Sequence, residues 1–215
     1  GFADVDRIFL THWHHDHTGL AGEIQAESGA EVYVHTADAP LVAGDGDAES
    51  ALEAAHERAF ERWHVPDQKR AVLRERLTTH DDVTATPEVR TFEDGATFTV
   101  AGRELRVVHT PGHAAGHAIF ELDGDEVLSG DALLPKYTPN VGGADLRVER
   151  PLAKYLETLR TIADADYDRA WPGHRDPIDD PTARAETIVE HHEQRAYRVL
   201  DALRRHGPCN IWTVS

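Results

Sequence analysis

The strongest chemical signal in the chain is the segment Thr11-His12-Trp13-His14-His15-Asp16-His17, which follows a short apolar run that predicts a buried strand over residues 5–11. His12 and His14 are two positions apart and therefore project to the same side of an extended chain. Asp16 and His17 lie in the turn into the next predicted helix, where they can point at a second position. Imidazole and carboxylate together suit Zn²⁺, Fe²⁺ or Mn²⁺ rather than Ca²⁺. The segment predicts a metal site, and a His-rich loop that binds nothing is the less favoured alternative.

Three later segments each place one further ligand-type residue after a predicted strand. They are His109-Thr110-Pro111-Gly112-His113, Ser129-Gly130-Asp131 and Trp171-Pro172-Gly173-His174. Strand ends are common positions for ligands in layered α/β proteins. Each of these patterns is weak alone. One coherent metal centre is predicted when the His-rich segment is taken together with His113, Asp131 and His174.

These four segments resemble the metallo-β-lactamase-fold hydrolase superfamily, whose signature is HxHxDH followed by separate His, Asp and His ligands. Every position of that signature is filled here, and the resemblance extends from about residue 5 to residue 174. It implies two divalent metal ions, with zinc favoured and iron or manganese as alternatives. One ion would be held by His12, His14 and His113, and the other by Asp16, His17 and His174. Asp131 would bridge the two ions, and Asp16 would both ligate one ion and orient the nucleophile.

The resemblance also implies an α/β-type, four-layer αββα sandwich, in which two facing sheets have helices outside them. That fold normally begins with strands before the HxHxDH loop, so we expect a preceding segment that this sequence lacks. Residues 1–180 are predicted to form an N-terminally incomplete catalytic domain, and residues 181–215 a helix and the start of a winged-helix domain. The residue pattern predicts strands at 31–35, 89–92, 96–100, 104–109, 118–122, 126–128 and 167–171, and helices at 50–77 (interrupted at 65–66), 150–163 and 181–205.

The loop at residues 132–143 leaves the predicted metal site and should line a substrate cleft. It lacks the GCGR-type signature of glyoxalase II enzymes, and the last ligand is not in a GHEY motif. Residues 172–178 and 188–195 instead resemble the lactamase-β-like hydrolases, where a PGHGP-type loop precedes a helix and a small winged-helix domain. The predicted substrate-binding residues are Lys136, Tyr137, Arg175 and Arg195.

The predicted activity is hydrolysis, in which a hydroxide between two cations attacks the carbonyl of a small ester, thioester or lactone. A metal-dependent endoribonuclease or phosphodiesterase is the first alternative, so an RNA substrate is less favoured but stays open. A mononuclear iron persulfide dioxygenase is the second, and it would use only three of the seven ligand positions. A non-catalytic scaffold is disfavoured because no ligand position is lost. The oligomeric state and the role of the helices at 50–77 stay open.

Composition restricts the remaining possibilities. The 215 residues include 39 acidic and 22 basic side chains, a net charge of −17 that argues against a general phosphate-binding surface. The acidic residues are spread along the whole chain and only three lysines occur, a pattern that favours a salt-loving source. No apolar run approaches the ~18 residues of a membrane span. A single cysteine, Cys209, fits a reducing interior, and the predicted location is cytoplasmic.

The other histidines have less specific interpretations. His15 should face away from the ligands, His109 and His117 should orient the loop that carries His113, and His35 should be structural or lie at the pocket edge. Five more fall in charged helical or loop contexts and are expected to face solvent: His56, His64, His80, His192 and His206.

Overall fold

Two β-sheets form the centre of the molecule in the computed structural model, which describes residues 1–78 and 85–208. The first sheet is parallel, in the order β1-β2-β3, and consists of β1 (Arg7–Phe9), β2 (Glu31–His35) and β3 (Val89–Phe92). The second sheet follows the order β4-β5-β6-β7-β8. Its strands are β4 (Thr97–Val100), β5 (Arg103–His109), β6 (Ala118–Leu122), β7 (Glu126–Gly130) and β8 (Arg169–Pro172). They are antiparallel from β4 to β7, and β8 is parallel to β7.

The helices begin and end where local chemistry favours it. They are α1 (His15–Thr18), α2 (Ala21–Ser28), α3 (Ala39–Val42), α4 (Gly46–Arg62), α5 (Asp67–Thr78), α6 (Pro151–Ala165) and α7 (Pro181–His206), after a 3₁₀ turn at Phe2–Asp4. The carboxylate of Asp45 caps α4 by accepting from two backbone N–H groups, and that of Asp180 caps α7. A proline occupies the first turn of both α6 and α7, where its missing N–H is tolerated. None of the described helices is long and apolar enough to span a membrane.

Aromatic side chains join the two sheets. The ring of Phe9 on β1 stacks on Tyr33 of β2, with centroids 5.2 Å apart. On its other side it meets Phe98 of β4 at 4.9 Å and Phe120 of β6 at 6.0 Å, both edge-on. Because β1 and β2 belong to one sheet and β4 and β6 to the other, the sheets face each other across this cluster.

Helices cover the outer faces of both sheets. Ala21 of α2 and two residues of α3 pack with Val32 and Val34 of β2 against the parallel sheet. On the far side, Tyr155 and Leu159 of α6, with further residues of α7, pack against the five-stranded sheet. The four layers are therefore helices, sheet, sheet and helices, which is the αββα sandwich expected from the sequence.

All the predicted strands after the first are found, with boundaries shifted by two residues at most. β1 is shorter than expected, at three residues, because the chain already turns toward the His-rich loop after Phe9. Residues 93–96 connect the two sheets, because β3 pairs in parallel with β2 while β4 pairs with β5. The predicted start of a winged-helix domain falls on residues 209–215, outside the described part of the chain.

Two histidines expected to face solvent are buried. His56 is 7% exposed and shares a hydrogen bond of 2.9 Å with the carbonyl oxygen of Ala144. It lies four residues after Leu52 and four before Phe60, so all three share the buried face of α4. His192 is 5% exposed and follows Ile188 on the buried face of α7. The expectation was wrong because it weighed the charged neighbours and not the helical period; His80 lies outside the described residues.

A pair of stacked imidazoles also connects the sheets. His35, at the end of β2, lies parallel to His109, at the end of β5, with ring centroids 4.0 Å apart and planes 10° apart. His109 Nε2 donates to the carbonyl oxygen of Ala115 at 2.8 Å, so it supports the loop that follows β5. Burial, aided by the neighbouring His109, lowers the pKa of His35, although Glu93 and Asp94 act in the opposite direction.

Replacing Phe9 by alanine should destabilise the protein, because its ring is shared by four strands of two sheets. Since Phe9 is only half-buried, we expect a loss near the lower end of the range for such substitutions, about 3 kcal/mol of the free energy of unfolding. Denaturant unfolding of Phe9→Ala measures it. Phe2→Ala is the matched control: Phe2 is 43% exposed, and its loss should change stability by less than about 0.5 kcal/mol. Equal effects of the two substitutions would contradict this account of the sheet contact.

His35 should make stability fall as the pH is lowered. Its pKa is depressed in the folded state, so below the unfolded value of about 6.5 the unfolded chain takes up a proton that the folded chain does not. The stabilisation is therefore fully present above that value and is lost as the pH falls toward the folded pKa. We expect wild type to lose unfolding free energy faster than His35→Phe between about pH 7 and about pH 5. Parallel curves for the two proteins would show that His35 has no such effect.

Candidate metal centre

The strand directions bring the predicted ligands to one edge of the molecule. β5 and β7 are each antiparallel to β6 and therefore run the same way, and β8 is parallel to β7. The residues that follow these three strands, including His113, Asp131 and His174, consequently emerge at the same edge. The loop after β1 crosses to this edge too, because the N–H of Ala118 at the start of β6 donates to the carbonyl oxygen of Thr11 at 2.8 Å.

The first group of imidazoles contains His12, His14 and His113. His12 Nε2 lies 2.9 Å from His14 Nδ1 and 3.2 Å from His113 Nε2. One nitrogen from each ring therefore meets in a space less than 4.8 Å across. His12 is fully buried and His113 is 5% exposed. Three imidazole nitrogens in this arrangement can hold a transition-metal ion.

The second group contains Asp16, His17 and His174. Asp16 Oδ2 lies 3.1 Å from His174 Nε2 and 3.7 Å from His17 Nε2. These three residues also offer ligand atoms within 4.8 Å of one another. In contrast to the first group, this one opens to solvent: the side chains of Asp16 and His174 are 59% and 44% exposed.

Asp131 lies between the two groups. Its Oδ2 is 3.6 Å from His113 Nε2 of the first group. Its Oδ1 is 3.4 Å from His17 Nε2 and 3.6 Å from His174 Nε2 of the second. One carboxylate therefore presents an oxygen atom to each group, as a ligand shared by two ions must.

The unsatisfied atoms of this cluster fit a pair of cations. Within the described residues, His17 Nε2 and Asp131 Oδ1 are buried without a hydrogen-bond partner and lie 3.4 Å apart. His14 Nε2 also lacks a partner, but the nitrogen of that ring that meets His12 is Nδ1. Buried polar atoms are rarely left so. Gly173 keeps the space open, because a Cβ there would lie 2.5 Å from His17 Cε1 and 2.7 Å from Asp131 Oδ1. All seven predicted ligands thus meet at one site; their roles as ligands stay a prediction.

The protonation of the cluster favours cation binding. Burial lowers the pKa of His14 to about 3 and also lowers the pKa values of His12 and His113. Burial acts to raise the pKa of Asp131, but the neighbouring imidazoles of His17, His113 and His174 outweigh it, and the net shift is downward. At neutral pH the first group therefore offers unprotonated nitrogens beside an ionised carboxylate, as a metal ion requires.

Further groups orient the ligands. His117 is fully buried, and its Nε2 accepts from the N–H of Asp131 at 3.1 Å, while its Nδ1 bonds to Thr110 Oγ1 at 2.9 Å. The bond to Thr110 fits the expectation that His117 orients the loop that carries His113, and the bond to Asp131 was not expected. His113 Nδ1 donates to the carbonyl oxygen of Asn140 at 2.7 Å, a contact that no sequence motif predicts. Three charged residues beside the ligand loops also have no sequence signature: Asp38, Asp145 and Arg147.

The predicted substrate-binding residues divide between two cavities. Tyr137 and Arg175 line a cavity of about 360 Å³ together with Leu134 and His174, at the mouth of the second group. The guanidinium carbon of Arg175 lies 5.0 Å from the ring centroid of Tyr137, and Lys136 Nζ lies 5.8 Å from it. Arg195 is elsewhere, on α7, in a separate cavity of about 660 Å³ whose other lining residues are largely apolar.

The loop that carries Lys136 and Tyr137 is fixed from behind. Arg184 of α7 donates to the carbonyl oxygen of Leu134 at 2.7 Å and to that of Tyr137 at 3.1 Å. The hydroxyl of Tyr155 on α6 donates to the carbonyl oxygen of Ala132 at 3.1 Å. The backbone of the cavity wall is therefore held by helices, and the side chains of Lys136 and Tyr137 are exposed.

Comparison with known proteins agrees with the geometry. The family model of the metallo-beta-lactamase superfamily matches residues 3–174. The Beta-lactamase-like protein 2 homolog of Drosophila melanogaster is 30% identical over 202 residues, which are 92% of this chain and 54% of that protein. The chain spans about half the length of the curated relatives it matches.

Solved structures agree as well. The metallo-beta-lactamase family protein TTHA1429 from Thermus thermophilus superposes with a TM-score of 0.79 and 33% identity, covering 99% of this chain and 68% of that one. TTHA1623, solved in a di-iron-bound form, gives a TM-score of 0.55 and 26% identity, covering 83% of this chain and 75% of that one. Because the matched range runs from before β1 to His174 and so contains both sheets and all seven predicted ligands, the chain belongs to the metallo-beta-lactamase superfamily.

Proposed function

We propose that this chain is the catalytic part of a hydrolase that uses two divalent cations, zinc by preference, to cleave a small ester, thioester or lactone. The observation that carries the proposal is the position of Asp131, whose two carboxylate oxygens face two different groups of histidines. A centre for one ion would not need a carboxylate in that position. Iron is the alternative metal, since the similar protein TTHA1623 was solved in a di-iron-bound form.

Cations in these two groups would supply a water activated near neutral pH and a positive charge on the carbonyl oxygen, which together are the requirements of ester hydrolysis. The chain's own residues have distinct parts in this. Asp131 lies between the two groups and offers one carboxylate oxygen to each. Asp16 is the ligand-type residue most open to solvent in the second group, so its carboxylate can also accept a hydrogen bond from the attacking water and orient it. No serine or cysteine nucleophile is required.

The mouth of the site favours a substrate with an anionic group. Lys136 and Arg175 flank the ring of Tyr137, and neither forms an ion pair with any residue in the described ranges. The backbone of Arg175 is left-handed, at φ 73°, a conformation that is unfavourable for residues other than glycine. We propose that these cations bind a carboxylate or phosphate at the end of the substrate remote from the scissile bond.

The two alternatives predict different substrates or metals. Cleavage of RNA would use Tyr137, which is 55% exposed, for base stacking, but three side chains make only a short path for a polyanion. A mononuclear iron dioxygenase would leave the second group without a purpose. Activity on esters and thioesters, RNA and persulfides separates the three possibilities.

Metal content is the first test. Elemental analysis of the intact protein should give close to two zinc ions per chain. Asp131→Ala should lose one or both ions and reduce turnover at least ~100-fold, an effect of the size seen when a key transition-state contact is removed. Asp164→Ala, which removes an exposed carboxylate on α6, is the matched control and should retain both. One iron per chain, or full turnover by Asp131→Ala, would overturn the two-ion hydrolase.

Lys136→Ala should raise KM more than it lowers kcat. The ammonium group would act on a remote part of the substrate, so its loss weakens ground state and transition state alike. We expect KM to rise about three- to tenfold for a carboxylate-bearing ester and to stay level for a neutral ester of the same size. Lys69→Ala, on α5, controls for the loss of one positive charge. If KM for the anionic ester is unchanged, the substrate binds elsewhere.

A further inference from the structure

Two buried carboxylates and a partly exposed arginine form a cluster beside the candidate metal centre. Asp38, at the start of α3, and Asp145, in the loop before α6, are both fully buried. Arg147 joins them: its NH2 lies 2.7 Å from Asp38 Oδ1 and 2.6 Å from Asp145 Oδ2, and its Nε donates to Asp145 Oδ1 at 2.9 Å. Two carboxylates around one guanidinium leave a net negative charge, which is costly to bury unless further donors surround it.

Those further donors come from the two loops that carry the first group of imidazoles. The backbone N–H of Trp13 donates to Asp38 Oδ2 at 3.1 Å, and its indole Nε1 donates to Asp145 Oδ2 at 3.1 Å. The N–H of Ala115 donates to Asp145 Oδ2 at 2.8 Å, and the N–H of Gly116 donates to Asp38 Oδ1 at 2.8 Å. Each carboxylate therefore bonds to both loops at once.

The position of these donors is specific. Trp13 lies between His12 and His14, and residues 115 and 116 follow His113 by two and three positions. The cluster thus fixes the backbone beside all three members of the first group. Within the described residues, no hydrogen bond links Asp38, Asp145 or Arg147 to residues 16–17 or 173–174, which carry the second group.

The contact is also tight. A Cβ on Gly116 would lie 2.5 Å from Asp38 Cγ and 2.8 Å from its Oδ1, so only glycine allows this approach. The guanidinium carbon of Arg147 lies 5.7 Å from the Trp13 ring centroid, which adds a cation–π contact to the same loop. A loosely held loop would need neither the close approach at Gly116 nor the cation–π contact with Trp13.

We propose that Asp38, Arg147 and Asp145 are positioning residues that hold His12, His14 and His113 in a preorganised arrangement, and that they set the affinity of this cation site separately from that of the second. The inference rests on the proposed two-ion centre. None of the three touches the space where the ions or substrate would lie; they act through the backbone of two loops.

The test is a titration of the metal-stripped protein with Co²⁺, followed by its visible absorption and by competition with a chelator. Wild type should show two binding events. His174→Ala, which removes a ligand of the second group, identifies the event that belongs to the first. Arg147→Ala and Asp145→Asn should weaken that first-group event about 10- to 100-fold, as loss of partners that orient ligands does, and leave the second within about twofold.

Two milder variants keep the test valid if a buried-charge variant does not fold. Gly116→Ala keeps every charge and only separates the loop from Asp38, and Trp13→Phe removes only the indole bond to Asp145. Both variants should lower the Co²⁺ affinity of the first group, and the effect of Trp13→Phe should be the smaller one. Arg147→Lys should keep part of the affinity that Arg147→Ala loses. Ile162→Ala is the control for general destabilisation, because it leaves a cavity where the buried face of α6 meets the core. It should lower the melting temperature and leave both affinities unchanged.

The outcomes distinguish this inference from the proposed function. Wild type that binds two ions, with variants that bind both as tightly, would overturn the positioning role and leave the hydrolase proposal standing. Equal weakening of both events in the Arg147 and Asp145 variants, matched by Ile162→Ala, would mean that the cluster is only structural. Wild type that binds no divalent cation would overturn both proposals.

Discussion

The molecule depends on keeping unprotonated imidazoles and ionised carboxylates close together and largely out of water. Without compensation this is unfavourable, because buried polar atoms need partners and buried charges need opposite ones. At the candidate site the imidazoles of one group are kept neutral by burial, and Asp131 is kept ionised by the imidazoles around it. Two of the atoms that still lack partners, His17 Nε2 and Asp131 Oδ1, face each other, and a cation would satisfy both. The strand directions, the two ligand loops and the partly exposed Arg147 with its two buried carboxylates all contribute to this one local arrangement.

The sheets meet that requirement through strand direction. Because β5, β7 and β8 run the same way, three loops from the five-stranded sheet reach one edge, and the loop after β1 joins them from the other sheet. The aromatic cluster around Phe9 and the stacked pair of His35 and His109 fix the distance between the sheets near that edge. The geometry of the predicted ligands is therefore coupled to the packing of the sheets, and a shift of one sheet over the other would separate His12 from His113.

Sequence reasoning recovered what is encoded locally. Strand positions, the helix starts at Pro151 and Pro181, and the convergence of the seven ligand-type residues follow from period, caps and motif spacing. Partners distant in sequence were not predictable: Asp38 and Arg147 are 109 residues apart, and no motif connects them. The helical period predicts the burial of His56 and His192, because each lies four residues from a buried apolar residue of its helix. Their charged neighbours in sequence instead favoured an exposed position. Arg195 was grouped with Tyr137 and Arg175 by chemistry alone, and the fold places it in a different cavity from theirs.

Arg184 allows the wall of the smaller cavity and the predicted ligands to be supported by different parts of the fold. It holds the backbone of the loop at Leu134 and Tyr137 from α7, while the loops of the first group of imidazoles are held by the buried carboxylates of Asp38 and Asp145. The exposed side chains of Lys136 and Tyr137 take no part in these backbone contacts, so we expect their exchange to leave the predicted ligands in place. Such a division would make residues 136 and 137 the place to select new substrate preferences in the laboratory, since their backbone is held independently of their side chains.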